Sequence, residues 1–326
     1  MTEGCLKGVF VLVVLLVLVL GMTSLAFGEV ILKVGSPFEE GHILVEAATR
    51  FKELLEERSE ERLQVELQIA QASEEEVNTQ CSEGVIDLQF NGGRPVEVFA
   101  PQYFFFNAPY VIKDYDHFLR VWNGPLGEKA KELVLQNGNM FCLGTVYRGF
   151  RQMTSLNPIR TLEDLVGLKL RLPVIKTWIA VWESLGVEPV PVPLPELYQA
   201  LKERKAEASE GDLPQIYSFK LYEVQKYLGI TNHLVGVGWI AMNRNSMEQL
   251  SPEDQDLVRG CVEEACQWAT EKIKTGESDL LAELQELGME IVYPDADAIR
   301  EKAKPAIEEL FVTEWPVTTW EEVLAQ

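Results

Sequence analysis

The sequence predicts an α/β protein of two lobes with a cleft between them. A β-α-β-α-β order of hydrophobic patterns occupies residues 30–90, and the same order returns over residues 168–209 without detectable identity. A helical pattern much longer than usual then begins at Pro252. Each repeated unit can close one mainly parallel sheet, and a helix of that length can brace two bodies.

Val30 to Val34 reads as a buried strand, and Ile43, Ala47, Ala48, Phe51, Leu54 and Leu55 follow at helical spacing. Leu63, Val65, Leu67 and Ile69 alternate with polar partners, as a second strand requires. A short helix around Val77 and Cys81 stops at Gly84, since glycine adopts a left-handed helix end readily. Ile86 to Phe90 makes the third strand.

In the second unit, Leu168, Leu170 and Leu172 alternate with Lys169 and Arg171, so one strand face is apolar and the other ends in a guanidinium. A helix through Trp178 and Trp182 runs to Gly186, and Val187 to Val192 forms a strand that Pro189 and Pro191 push to an edge. A helix from Glu196 to Glu203 and an extended Ala206 to Ser209 complete the unit. His233 to Met242 reads as a long strand shuttling between lobes. Ser251 then caps a helix with proline in its first turn; the pattern persists to about Leu287, with a bend expected near Gly276. We assign residues 29–148 with 235–274 to lobe one and 149–234 with 275–326 to lobe two.

Residues 1–28 stand apart. Gly8 to Met22 is an unbroken apolar run, and Ala26-Phe27-Gly28 offers small residues for cleavage, so this segment reads as a secretory signal peptide, with an uncleaved membrane anchor as the alternative. Cys5 precedes the apolar run, which argues against lipid attachment there. Removing the segment takes one Lys and one Glu, and the net charge stays at -22. That field disfavours nucleic acid and anionic membranes as partners. It also repels anionic solutes at long range, so an acid-binding site must create its own local positive potential.

Cys81, Cys142, Cys261 and Cys266 permit disulfides, but a chain of this size does not need them. Cys261 and Cys266, five apart on a helix, face different ways. His42, His117 and His233 show no metal-ligand spacing, and no P-loop, Gly-x-Ser-x-Gly elbow or dinucleotide fingerprint occurs. No metal, cofactor or catalytic centre is therefore expected.

Three blocks in order carry a specific resemblance: Arg151 to Pro173, Pro193 to Leu201, and Tyr217 to Leu228. They resemble the solute receptors of TRAP transporters, tripartite ATP-independent periplasmic uptake systems for C4-dicarboxylates and other organic acids, over nearly the whole chain beyond the signal. The resemblance implies a two-lobed periplasmic binding protein fold with an interlobe cleft and a long bridging helix. It also implies a small organic acid as ligand and TRAP membrane subunits as partners. Contact with the membrane is then expected only through the transporter or an uncleaved signal anchor.

Arg171 matches the family arginine that grips the solute carboxylate, and Arg151 matches a second arginine that assists or holds its strand. Glu210 falls where the family commonly has Gln-Glu-Asn-Pro, but here the run is Ser209-Glu210-Gly211-Asp212. The amide side chain at Gly211 is missing, so its hydrogen bond must be lost or supplied by water or another residue. Trp178 is a cleft-wall candidate whose bland reading is core packing. Phe38, Glu39, Gln71, Asn91 and Arg94 sit at the strand ends of lobe one, where ligands of open α/β sheets collect; His42 caps or packs at the first helix. Arg160 and Lys169 read as solvated surface charges. An ATP-driven importer subunit or sensor shares the architecture, and an enzyme using Glu210 with Glu39 is the rival from another class.

Overall fold

Two long antiparallel strands organise the molecule, a computed structural model that describes residues 30–326. The signal-peptide reading of residues 1–28 lies outside the described residues. On the first side, β1 (Val30–Ser36), α1 (Ile43–Arg58), β2 (Leu63–Ile69), α2 (Glu74–Glu83) and β3 (Leu88–Asn91) form the expected β-α-β-α-β unit, with β1 parallel to both neighbours. Ser73 and Glu76 close a capping box at the start of α2, and Gly84 ends it at φ 76°. Short helix α3 (Arg94–Phe99), a 3-10 turn (Pro101–Asn107), α4 (Tyr115–Trp122) and α5 (Pro125–Gly138) follow.

The chain then enters β4 (Met140–Ser155), which crosses to the second unit: β5 (Lys169–Leu172), α6 (Lys176–Ser184), β6 (Glu188–Pro191), α7 (Leu197–Lys202), β7 (Ala208–Asp212) and α8 (Leu213–Ser218). It returns along β8 (Tyr227–Asn243), which begins before His233 because Leu228 and Gly229 pair with Thr154 and Met153. The sheet order β2-β1-β3-β8-β4-β7-β5-β6 makes one continuous path, with β4 and β8 shared. β6 is the outermost strand, where the two prolines cost no ladder bonds.

Where the two long strands pass from one unit to the other, Gly149 takes φ 89°, a conformation that β-carbon-bearing residues rarely adopt. A β-carbon there would also come within 2.9 Å of the Glu277 carboxylate, and one on Gly236 opposite would press on the Gly149 carbonyl at 2.6 Å. The crossing point therefore tolerates little side-chain bulk.

After α9 (Arg244–Gln249), α10 (Pro252–Glu286) is a single helix, continuous through Gly276 and capped by the Ser251 side chain. It is tied to α1 by Arg58–Glu264 at 2.6 Å and Lys272–Glu46, and beyond the crossing Tyr217 donates to Glu283 at 2.9 Å. The brace predicted from length alone is thus physically anchored at both ends. β9 (Glu290–Val292) pairs with β8, and α11 (Ala296–Thr313) packs on α6. The sequence groups the C-terminus with lobe two, but α12 (Trp320–Leu324) lies on the first unit instead. His117, Lys113 and Arg120 there hold the carbonyls of Val323, Leu324 and Gln326 at 2.7–2.8 Å.

The first unit's core centres on Phe106, Phe118, Trp122 and Trp239, whose rings meet edge-on or stacked at 5.1–6.3 Å. Each such side chain contributes about 1.5–3 kcal/mol by burial. Phe104 and Phe105 are equally buried, as their apolar run suggests. Among the described residues no helix is long and apolar enough to cross a membrane, and the four cysteines are free thiols.

Candidate functional site

Arg148 and Arg151 lie three apart on β4, a spacing that turns side chains to opposite faces of a regular strand. A register shift between Tyr147 and Gly149 leaves Arg148 unpaired in the ladder and reverses the alternation. Both guanidiniums consequently reach Asp212 Oδ2, at 2.7 Å from Arg148 and 3.5 Å from Arg151.

Arg151 is the more tightly held. Its Nη2 donates to Glu210 Oε1 at 2.8 Å, its Nε donates to the other carboxylate oxygen, and its guanidinium lies 5.1 Å from the Trp178 ring. Burial disfavours the Glu210 and Asp212 charges, but the arginines more than offset it and hold both carboxyls well below their usual range. Asp212 also caps α8 by accepting from the Gln215 N–H at 3.0 Å. His42 caps α1 through Nδ1, which accepts from the Leu44 N–H, so its proton sits on Nε2, 3.6 Å from Asp212. Burial pushes His42 down to about 4, leaving it neutral. His233 meets Glu210 at 3.3 Å and is likewise lowered by burial.

Arg171 behaves differently. At 1% exposure it ends β5, where Nε and Nη2 both donate to the Val192 carbonyl, at 2.9 and 2.6 Å. Among the described residues it has no carboxylate in salt-bridge contact. Burial pushes its pKa down to about 10, so it stays charged at neutral pH.

Arg171, Arg151 and Arg148 face one small cavity of about 20 Å³, room for roughly one water by the usual measure. The opposite wall comes from the first unit: Arg94, paired with Glu97 at 2.7 Å, together with Glu74 and Asn107. Burial pushes the Glu97 carboxyl up to about 7, against the pull of Arg94. Trp178 Nε1 donates across the gap to the Asn107 carbonyl at 2.6 Å, and Arg94 reaches the Val174 carbonyl at 3.5 Å. The two sides stand closed on each other.

Of the residues the sequence singles out, Arg171, Arg151, Trp178 and Arg94 line this cavity. Glu210 lies behind Arg151. Phe38 is buried under Arg148, stacked on His42 with ring centroids at 3.9 Å. Asn91 spends its side chain on Glu74, Gln89 and Gly92 within the first unit. Glu39 is exposed, and Gln71 lines a separate surface groove beside Trp268. The loops that follow adjacent strand ends therefore project to several sides. Arg160 and Lys169 are exposed, as their sequence setting suggests. The sequence reading missed Arg148, Glu74, Glu97 and Gln215; the bulge that turns Arg148 inward leaves no mark in hydrophobic periodicity.

Arg171 thus presents a cationic, hydrogen-bond-donating group to a cavity whose other polar lining includes Arg94, Asn107 and Gln215. Among the described residues no three His, Cys, Asp or Glu side chains converge as a metal site. The Glu210–Glu39 pair of the enzyme reading does not face the cavity: one is tied to Arg151 and the other is on the surface.

Residues 34–314 match the family described as bacterial extracellular solute-binding protein, family 7. Over 280 residues, 85% of this chain and 87% of the relative, the sequence is 30% identical to the sialic acid-binding periplasmic protein SiaP of Vibrio cholerae. A TRAP periplasmic solute-binding protein from Roseobacter denitrificans, solved with bound L-galactonate, aligns at a TM-score of 0.83 and 26% identity, covering 91% of this chain and 99% of that one. Another, from a Polaromonas species with bound D-erythronate, aligns at 0.83 and 25% identity, covering 91% and 98%.

Proposed function

The chain belongs to the bacterial extracellular solute-binding proteins of family 7, and from there we propose that it captures a small organic acid by a salt bridge from Arg171 to the acid's carboxylate. It then delivers that acid to the membrane subunits of a TRAP transporter. The observation that carries this reading is the state of Arg171: a fully buried cation, charged at neutral pH, facing the cavity with a backbone carbonyl as its partner and, among the described residues, no carboxylate in salt-bridge contact. A buried charge left in that condition costs free energy in the absence of an anion, so an arriving carboxylate gains an interaction the protein has not already satisfied. Arg151, neutralised by Glu210, supports the wall and adds a weaker field.

The lobes are residues 29–148 with 235–274 and residues 149–234 with 275–319, the tail from 320 returning to lobe one. The glycine pair Gly149 and Gly236 at the crossing supports a hinge there. A solute touching Arg94 on one lobe and Arg171 on the other favours the closed population through contacts the open form lacks. Tight binding without turnover is the expected behaviour.

A thermal-shift screen against mono- and dicarboxylates, sugar acids and 2-oxo acids identifies the ligand; one present at a hundred times its dissociation constant adds about 2.7 kcal/mol to the folded state. Calorimetry on Arg171→Ala then tests the anchor. Truncation should cost about 2–5 kcal/mol of binding, and an unchanged affinity sinks the assignment.

A further inference from the structure

Gln215 lines the same cavity as Arg171 and is 2% exposed. It sits in the first turn of α8, where the Asp212 cap fixes its backbone and the Arg148 and Arg151 contacts fix Asp212. Its side chain folds back over Gly211. A β-carbon on Gly211 would stand 2.6 Å from Gln215 Nε2 and 3.0 Å from its Cδ. Gly211 is not in the left-handed region, so glycine is needed there for space and not for backbone conformation. The amide is poorly satisfied within the protein: Nε2 reaches the Glu210 carbonyl only at 3.4 Å, and Oε1 accepts no hydrogen bond among the described residues.

We propose that Gln215, admitted by the missing side chain at Gly211, is a specificity-determining residue whose amide reads a hydroxyl of the solute near the carboxylate held by Arg171. An amide offers a donor and an acceptor together, which suits a hydroxyl. Ser209 pairs with Arg171 across the sheet, and Gly211 lies two residues further along β7, about 7 Å at the usual strand rise. The group read is therefore a few carbons from the carboxylate, and the ligand class is a hydroxylated acid. The inference rests on the Arg171 reading and adds to it the group that selects among acids.

Calorimetry against L-galactonate, D-erythronate and their monodeoxy forms tests it. The wild type should lose about tenfold for one deoxy position, the worth of one hydrogen bond. Gln215→Ala should lose about the same for the parent acid and nothing more for that deoxy form. Gly211→Ala should copy the Gln215→Ala loss, and should be silent in the Gln215→Ala background, where no amide remains to displace. The parent-to-deoxy ratio is read within each variant, so a general loss of stability does not imitate the result. Independent effects of the two substitutions, an unaltered ratio in Gln215→Ala, or wild type binding hexanoate as tightly as the aldonates overturns the inference. Arg171→Ala separates the two layers: retained binding there removes the anchor itself, whereas lost binding there with an unaltered Gln215→Ala ratio removes only the amide's role.

Discussion

Arg151 and Arg171 flank β7, and both guanidiniums are buried against one cavity, yet they are in opposite electrostatic conditions. Arg151 is forked onto Glu210 and touches Asp212; among the described residues Arg171 has a single partner, the Val192 carbonyl. The first is neutralised within the fold, and the second is not. Their matching appearance in a sequence motif hides this, because the partner of Arg151 lies 59 residues away.

The largest effect should come from the paired side. Glu210→Ala leaves Arg151 buried without its main partner and should lower unfolding stability by about 3–5 kcal/mol in urea titration. On the other side, Arg171→Met should be neutral or stabilising, in the range of about 0–4 kcal/mol, while abolishing acid binding. If the two variants destabilise equally, the contrast between a structural and a binding arginine collapses.

A pH series sharpens the comparison across the cleft. Burial lowers His42 to about 4 and also lowers His233, so the unfolded chain binds their protons more readily; stability contributed by the neutral rings is present above about pH 6.5 and lost as pH falls through the folded values. Glu97 has the opposite sign, since its carboxyl is raised to about 7 and the folded state holds that proton; its contribution is lost as pH rises from the unfolded value towards 7. The two trends oppose each other between about pH 4.5 and 6.5. Glu97→Gln should therefore steepen the rise of stability with pH there, by at most about 1.4 kcal/mol per pH unit. Denaturant midpoints measured at half-unit intervals check it; an unchanged slope means Glu97 titrates normally.

The smallest effect is expected from Trp178→Phe, which removes the hydrogen bond to the Asn107 carbonyl that closes the two lobes. The closed form should lose about 0.5–1.5 kcal/mol, seen as a larger radius of gyration in small-angle scattering without ligand. No change in radius would show that other contacts hold the lobes together.

Most secondary-structure elements are legible in local sequence patterns. The strand and helix periods, the Gly84 stop, the edge position of β6 and the capped start of α10 all follow from local chemistry: side-chain alternation, glycine and proline conformational limits, and hydroxyl capping. Arg171 was legible because it ends an alternating strand within a recognisable block. Which cations are neutralised and which groups share the cavity emerges from the folded arrangement alone. The bulge at Arg148, the return of α12 to the first lobe, and the fold of Gln215 into the space at Gly211 each depend on residues distant in sequence or on a ladder register. Electrostatic partnership and close packing are set by distances in space, and a local pattern carries no record of those distances.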